Sequence, residues 1–467
     1  MFGSKRIAQR FVESAVAAEF IERARCGCAE DSACYSKLRL LVISVLLFCV
    51  TVMPARASTI TVTNTNDSGS GSLRQALVNA NDGDTIVFAV TGNIVLTSDG
   101  LVIDNDLTIS GPGANRLSIN GNQAGYGCVF GIADNNTVTI SGLTITNGHC
   151  GIFSDHATLT VTNCVVTANG GDGPSFFGIG INNMRGPTAR VERRNDCDAR
   201  EAYGDRPAGF AMLTVANCVI SDNSGSGVQN LSAPVTIINT TISGNSAGEG
   251  GGINTGGGKL PGDLTVINST ISGNFAYSDG GGIASFFSGL TIVNSTISGN
   301  TVGDPDYGDG GGIASGYGVV PPALTITNST VSGNSAATCG GVCRGTVEIQ
   351  NTILNANASG NIGGTVTSHG YNISSDDGGG HLNGPGDQIN TDPLLGPLRN
   401  HGGPTLTHMP MRGSPAIDAG DPSFTPPPDH DQRGACFYRV FGGRIDVGSV
   451  ETQPRPQCVT PAPRPTP

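Results

Sequence analysis

The chain has no tryptophan, and aromatic residues make up only 5% of its 467 residues. Charged residues account for 13%. Past residue 57 there is a single lysine, Lys259. The formal charge is −12, and residues 1–57 carry eight basic against five acidic groups, so the remainder is near −15. Such a chain is expected to be soluble and to avoid nucleic acid and anionic surfaces. It has no C-x-x-C pair and no His/Cys cluster, which argues against zinc. The apolar run at 40–53 falls short of the ~20 residues of a membrane span. Glycine, by contrast, is abundant at 70 residues. That suits tight stacked turns around a core of Ile, Val and Leu.

Most of the chain repeats one stretch, Leu290-Thr291-Ile292-Val293-Asn294-Ser295-Thr296-Ile297-Ser298-Gly299-Asn300. Related stretches begin at Leu159, Leu213, Val235, Leu264, Leu324 and Val347, with a degenerate one at Leu143. From Leu213 onward the starts are roughly 22 to 34 residues apart, within the range of stacked-repeat architectures. Leu290 and Ile292 alternate with Thr291 and Val293, the period of a strand. Asn294 interrupts, Ser295 and Ile297 resume the alternation, and Gly299-Asn300 closes it. Glycine runs at 250–252, 280–282, 310–312 and 340–341, each ending in an aliphatic residue, supply a third turn and a third short strand. Three short strands per coil predict an all-β, three-sheet solenoid, the right-handed parallel β-helix.

Two asparagine rows hold fixed offsets. Asn163, Asn217, Asn239, Asn268, Asn294, Asn328 and Asn351 share the bend. If coils stack at about 4.8 Å, these are expected to form an amide ladder. Asn223, Asn245, Asn274, Asn300 and Asn334 make a second row at the Gly-Asn turn, where Asn tolerates left-handed backbone. Cys164 and Cys218 hold the position of Ser295 and should point inward, in a stack of small residues or as a disulfide if their coils adjoin. Cys339 and Cys343 could close a short loop.

Taken in order, residues 1–57 read as an export signal with an extended leader. Lys37 and Arg39 precede the apolar run, and Pro54-Ala55-Arg56-Ala57 gives an A-x-A cleavage pattern. Residues 58–147 hold an N-terminal cap and the first coils. Residues 72–80 read as a short helix, with Ser72 and Gln75 spaced as a capping box and Leu73, Ala76, Leu77 and Ala80 on one face. Laid across the open end, such a helix caps a solenoid. Residues 148–360 carry the repeats. At 172–212 charges crowd from Arg185 to Arg206 and the periodicity stops. Two readings stand: a long loop pushed out of one coil, or a short out-of-frame stretch between compensating frameshifts. Residues 361–451 form a C-terminal β cap region, and 452–467 a Pro-rich, extended tail.

Two segments resemble known families. Thr61, Asp67-Ser68-Gly69, Gly71-Ser72-Leu73-Arg74-Gln75-Ala76 and Gly83-Asp84-Thr85-Ile86 resemble the start of secreted bacterial proteins with a CSLREA-type segment, without its leading Cys. That resemblance implies a pectin-lyase-like right-handed β-helix. Asn390-Thr391-Asp392-Pro393-Leu394-Leu395-Gly396-Pro397-Leu398, Asn400-His401-Gly402-Gly403-Pro404, Gly413-Ser414-Pro415-Ala416-Ile417-Asp418-Ala419-Gly420-Asp421, Asp431-Gln432-Arg433-Gly434 and Asp446-Val447-Gly448-Ser449-Val450-Glu451 resemble the choice-of-anchor Q domain of bacterial surface proteins. This implies a sorting signal, but the tail shows neither a hydrophobic stretch nor an LPxTG-type motif. Either the protein is released or the chain stops short of an anchor.

Fold alone does not decide chemistry. A lyase of this fold needs acidic Ca²⁺ ligands on neighbouring coils and a basic residue to take the proton α to a uronate carboxylate. A polygalacturonase-like hydrolase needs a set of motifs that here stand in the wrong order: Asp376-Asp377 precedes Asn390-Thr391-Asp392, with Ser368-His369-Gly370 and Arg444-Ile445-Asp446 as poor substitutes. Asp304, Asp306 and Asp309 share a loop and are candidate Ca²⁺ ligands. A polar turn around Pro305 is the simpler account. Phe286, Phe287, Tyr307 and Tyr317 fall near corresponding loops and are candidates for a sugar-stacking strip. The reading is a monomeric, secreted or cell-surface bacterial protein, with association to an outer membrane among the expected settings. It acts as a structural or adhesin-like module for a polysaccharide or cell-surface glycan. The alternative is a polysaccharide lyase or glycoside hydrolase with its site on the outer groove. An autotransporter passenger would require a membrane barrel.

Overall fold

A computed structural model describes residues 57–123, 127–170, 178–184, 211–255, 262–316 and 323–453. Among these residues every paired strand runs parallel. The first sheet has twelve strands, from Thr59–Val62 to Thr365–Gly370; the second has eleven, from Gly92–Val95 to Ile373–Ser374; the third has nine, from Leu101–Ile103 to Val342–Cys343. One coil contributes a strand to each in turn, as in Leu290–Val293, Thr296–Ser298 and Ile313–Ser315.

Strand alternation sends one set of side chains inward, and register stacks like on like. Leu264, Leu290 and Leu324 are paired partners in the first sheet, as are Val266, Ile292 and Ile326. Ile271, Ile297 and Val331 line up in the second, and Ile253, Ile283 and Ile313 in the third. All are essentially fully buried. Each such side chain contributes about 1.5–3 kcal/mol. The glycine runs let backbones approach at the corner before the third sheet. A Cβ on Gly282 would lie 2.5 Å from the carbonyl oxygen of Gly312 in the next coil.

Two polar columns run through this interior. At the position of Ser295, each backbone N–H donates to the hydroxyl of the next coil: Thr240 to Ser269 (3.1 Å), Ser269 to Ser295 (3.1 Å) and Ser295 to Ser329 (3.2 Å). Cys164 and Cys218 occupy the same column, inward and buried as free thiols. The amide ladder corrects the expectation from sequence. It lies at the Gly-Asn turn, not at the bend. Asn169, Asn223, Asn245, Asn274, Asn300, Asn334 and Asn357 each pass an Nδ2 hydrogen bond to the Oδ1 of the next asparagine, at 2.8–3.0 Å. Each Oδ1 from Asn223 to Asn357 also accepts the preceding ladder residue's backbone N–H.

Among the described residues, the bend row, Asn217, Asn239, Asn268, Asn294, Asn328 and Asn351, makes one such link, Asn239 to Asn217 at 3.1 Å. Its members share a positive φ of 48–54°. Asparagine stands there because it tolerates left-handed backbone. That conformation turns the side chains out of the inward column.

Helix α1 spans Leu73–Asn79, with Leu73, Ala76 and Leu77 buried. Ser72 Oγ caps it by accepting the Gln75 N–H at 3.2 Å. The return arm of the capping box is not made: Gln75 Nε2 donates to Asn79 Oδ1. Asp67 ties this cap to the first coil by accepting from Arg74, Thr97 and Ser98. Burial alone would raise its pKa, but these hydrogen bonds outweigh burial and bring it down to about 2.

Two disulfides lie wholly among the described residues, and Cys436 is disulfide-bonded as well. Cys128–Cys150 joins register partners on adjacent third-sheet strands, and Cys339–Cys343 closes a short loop. Part of the interval expected to be an interruption belongs to the solenoid. Ile181–Met184 is a third-sheet strand between Cys150–Asp155 and Val228–Leu231. The charged residues from Arg185 to Arg206 lie outside the described residues, as do Lys259, Tyr317, the leader to residue 56 and the tail from residue 454.

Past the last coil, the C-terminal region runs back along the flank of the second sheet. Gln432 Oε1 accepts from Thr296 Oγ1 (2.6 Å), and its Nε2 donates to Thr270 Oγ1 (2.8 Å). Ser449 Oγ lies 3.0 Å from Thr296 Oγ1 and 3.3 Å from Thr330 Oγ1. Asn294 Nδ2 donates to His430 O, and His408 Nε2 meets Ser298 Oγ at 2.9 Å. This cover explains a burial pattern that the repeat does not. The outward Thr270, Ser272, Thr296, Ser298, Thr330 and Ser332 are all buried, whereas Thr241 and Ser243 one coil earlier are half-buried and Val219 is exposed. The cover holds its own buried ion pair, Arg433 on Asp431 at 2.6 Å, with the Arg433 guanidinium over the Phe437 ring.

Candidate functional site

The corner between the second and third sheets carries an extra three-stranded sheet, Ser246–Glu249, Phe275–Asp279 and Thr301–Val302. Its end sets three carboxyl groups in register. Glu249 pairs with Asp279, and Asp279 bridges Asp309, which bridges Cys339. Each acidic residue stands immediately before a glycine run, so parallel stacking must place all three in one column, about 4.8 Å apart per coil. Arg344, just past the Cys339–Cys343 loop, reaches back into the column. Its guanidinium pairs with Asp309 and lies 3.6 Å from Asp279 Oδ1. Burial raises the pKa of Glu249, and Asp279 adds to the rise. Burial also raises Asp279, with Arg344 pulling the other way and Asp309 and Asp304 adding to the rise. Among the described residues, the column sets three carboxyl groups against the guanidinium of Arg344.

Aromatic rings stand on the same corner. Phe275 and Tyr277 point outward from the small sheet, 39% and 62% exposed, and Tyr307 on the following coil is 80% exposed. Ala276, Val302 and Ala336 cluster beneath them. Asp304 is the turn residue that places Tyr307: its Oδ1 accepts the N–H groups of Asp306 (2.9 Å) and Tyr307 (3.1 Å). Those bonds hold its pKa below the usual carboxylate value. Of the residues expected from sequence, Tyr307 and Asp309 belong to this corner. Asp304 is committed to the turn, and Asp309 to Arg344. Among the described residues no three His, Cys, Asp or Glu side chains converge as a metal site. Phe286 and the half-exposed Phe287 follow the strand Ile283–Ser285, at the opposite end of the third sheet from Tyr307. The expected aromatic strip is therefore split between two corners. Glu249, Asp279, Arg344, Phe275 and Tyr277 were missed from sequence. The signal for the first two was an acidic residue directly before each glycine run.

The hydrolase-like tripeptides serve as turn closers. Asp376 Oδ1 accepts from Ser374 Oγ and the Gly378 N–H. Asp377 accepts the Gly379 N–H, and Asp392 the Leu394 N–H. Arg444 donates to the carbonyl of Ala419.

Residues 181–374 match the family model for a right handed beta helix region. The solenoid is a right-handed parallel β-helix. Several solved β-helices overlay on the chain at low identity. Pectate lyase Pel9A is 13% identical over 85% of this chain and 96% of its own, with a TM-score of 0.49. The Dettilon tailspike protein is 12% identical over 68% and 62%, with a TM-score of 0.40. The PL6 family alginate lyase AlyGC is 13% identical over 86% and 59%, with a TM-score of 0.35. Such overlays carry no argument about chemistry. No curated protein matches the chain. No helix among the described residues is long and apolar enough to cross a membrane.

Proposed function

We propose that this β-helix is an exported, cell-surface or secreted module that binds glycan at the corner bearing the carboxyl column. The observation that carries the reading is the juxtaposition on consecutive coils of Glu249, Asp279, Asp309 and Arg344 with the exposed rings of Phe275, Tyr277 and Tyr307. Sugars stack their C–H faces on aromatic rings and hydrogen-bond through hydroxyl groups to carboxylates and guanidinium groups. A solenoid repeats such contacts at one interval, which suits a polymeric ligand. The charge of the corner sets the class. Among the described residues, three carboxyl groups and the nearby Asp304 and Asp306 stand with Arg344, a negative balance that disfavours uronate polymers and favours a neutral or amino-sugar glycan. The export pattern and the choice-of-anchor Q resemblance support the extracellular setting.

A second reading is a glycan-cleaving enzyme with the same site. It is favoured by the pairing of Glu249 with Asp279 on adjacent coils, where burial raises the pKa of both carboxyl groups, the direction a general acid needs. One experiment separates the two. The full chain is titrated against neutral, amino-sugar and uronate polysaccharides, with and without Ca²⁺, while reducing ends and unsaturated uronates are followed. Binding of a neutral or amino-sugar polymer without turnover, weakened about threefold to tenfold by Tyr277→Ala, supports the binding module. Turnover abolished by Asp279→Asn supports the enzyme. Preferential binding of uronates, or binding indifferent to Tyr277 and Arg344, overturns the site.

A further inference from the structure

We infer that Cys164 and Cys218 form a further disulfide, a cross-coil staple across the longest sequence interval between successive coils. The two residues immediately precede the paired Val165 and Val219, so they are lateral neighbours in the inward column of small side chains. Cys218 Sγ lies 3.4 Å from the Cys164 N–H donor and 3.5 Å from Val161 O, reaching back onto the coil of Cys164. The molecule already links one pair of cysteines on adjacent coils. Cys128 and Cys150 are register partners on adjacent parallel strands and are linked with a Cα–Cα distance of 4.4 Å. The ordinary stacking distance of about 4.8 Å lies within the span a disulfide bridges.

Position gives the staple its purpose. Later coils recur every 22 to 34 residues or so, but Cys164 and Cys218 are 54 apart. The entropy lost on closing a coil grows with its length, and a cross-link removes most from the unfolded chain where the loop is long. The staple falls on the longest coil.

The chemistry is a thiol–disulfide exchange with a small disulfide, RS–SR, such as oxidised glutathione. Either cysteine can begin the exchange, and Cys164 serves here as the first thiolate. Its thiolate attacks RS–SR, forms a mixed disulfide and releases RS⁻. Cys218 then loses its proton and displaces the second RS⁻. Two protein thiols are oxidised, and one RS–SR becomes two RSH. Both side chains are buried in the finished stack, so the exchange takes place while the coil closes during folding.

The test refolds the full chain with oxidised and reduced glutathione, denatures it in alkylating reagent without reductant, and maps the peptides. The expected result is one cross-linked species containing Cys164 and Cys218 that separates on reduction. Recovery of both as alkylated free thiols, in a sample where Cys128–Cys150 and Cys339–Cys343 are linked, overturns the inference. Cys164→Ser folds, because Ser269, Ser295 and Ser329 already occupy this column. In that variant Cys218 is recovered alkylated. Its recovery in a linked form would reveal another partner and overturn the pairing.

Discussion

Replacing Asn300 by Ala tests whether the turn ladder holds the coils together. Asn300 is fully buried. Its Oδ1 accepts the Asn274 N–H (3.0 Å) and Asn274 Nδ2 (2.9 Å), and its Nδ2 donates to Asn334 Oδ1 (2.9 Å) and Ile271 O (3.0 Å). Four hydrogen bonds at about 1 kcal/mol each give about 4 kcal/mol. The orphaned Asn274 N–H, sealed from water, adds to this. The bend row supplies the contrast. Asn268 has φ 50°, and its Oδ1 has no partner. Asn268→Gly should therefore cost less than about 1 kcal/mol, because glycine adopts that backbone freely. Asn268→Ala should cost about 1–2 kcal/mol for the left-handed conformation alone. Urea unfolding followed by far-ultraviolet circular dichroism measures all three, compared at matched slopes. Equal losses at the two rows, or a loss below about 1 kcal/mol for Asn300→Ala, would refute the assignment of the ladder.

Other outcomes follow from the same geometry. Ile297→Ala, in the centre of the second-sheet column, should destabilise by about 2–5 kcal/mol, read from the same urea curves. Asp67 has a folded pKa of about 2, below its ordinary 3.8. Its contribution is present above pH 3.8 and lost as pH falls toward 2, so Asp67→Asn should flatten the acid limb of a stability–pH curve. Glu451 moves the other way: burial, then Asp446, raises it from 4.5 to about 8. Its contribution is present below pH 4.5 and lost as pH rises to about 8. Hydrogen exchange in residues 429–452 should quicken over that window, and Glu451→Gln should remove this dependence.

The interior was legible from sequence because stacking forces one rule on every coil. The alternation of Leu290, Ile292 and Ile297 gave the inward columns, and the shared offset of Cys164, Cys218 and Ser295 gave the small-residue stack. The two asparagine rows were harder to tell apart, since both recur at one interval. Their roles differ by backbone φ and by whether the side chain turns into the column, and periodicity carries neither. The C-terminal region was legible as a motif but not as a flank cover. Its contacts join Gln432 to Thr270 and Ser449 to Thr296 across more than a hundred residues, and no local pattern encodes them. The acidic column lay in plain view before the glycine runs. The return of Arg344 onto it is a tertiary contact that spacing does not carry.

The flank cover also acts as a ruler. Gln432 spans the coils of Thr270 and Thr296, Ser449 those of Thr296 and Thr330, and the Asp421 N–H reaches Asn351 one coil further. These contacts fit one count of coils. A duplication or deletion between Thr270 and Asn351 would slide every partner out of step, whereas a whole coil gained or lost before Thr241 leaves the cover undisturbed. Length variation among descendants of such a gene is thereby steered into the N-terminal half, and the stretch bearing Asp279, Asp309 and Arg344 is held at fixed length.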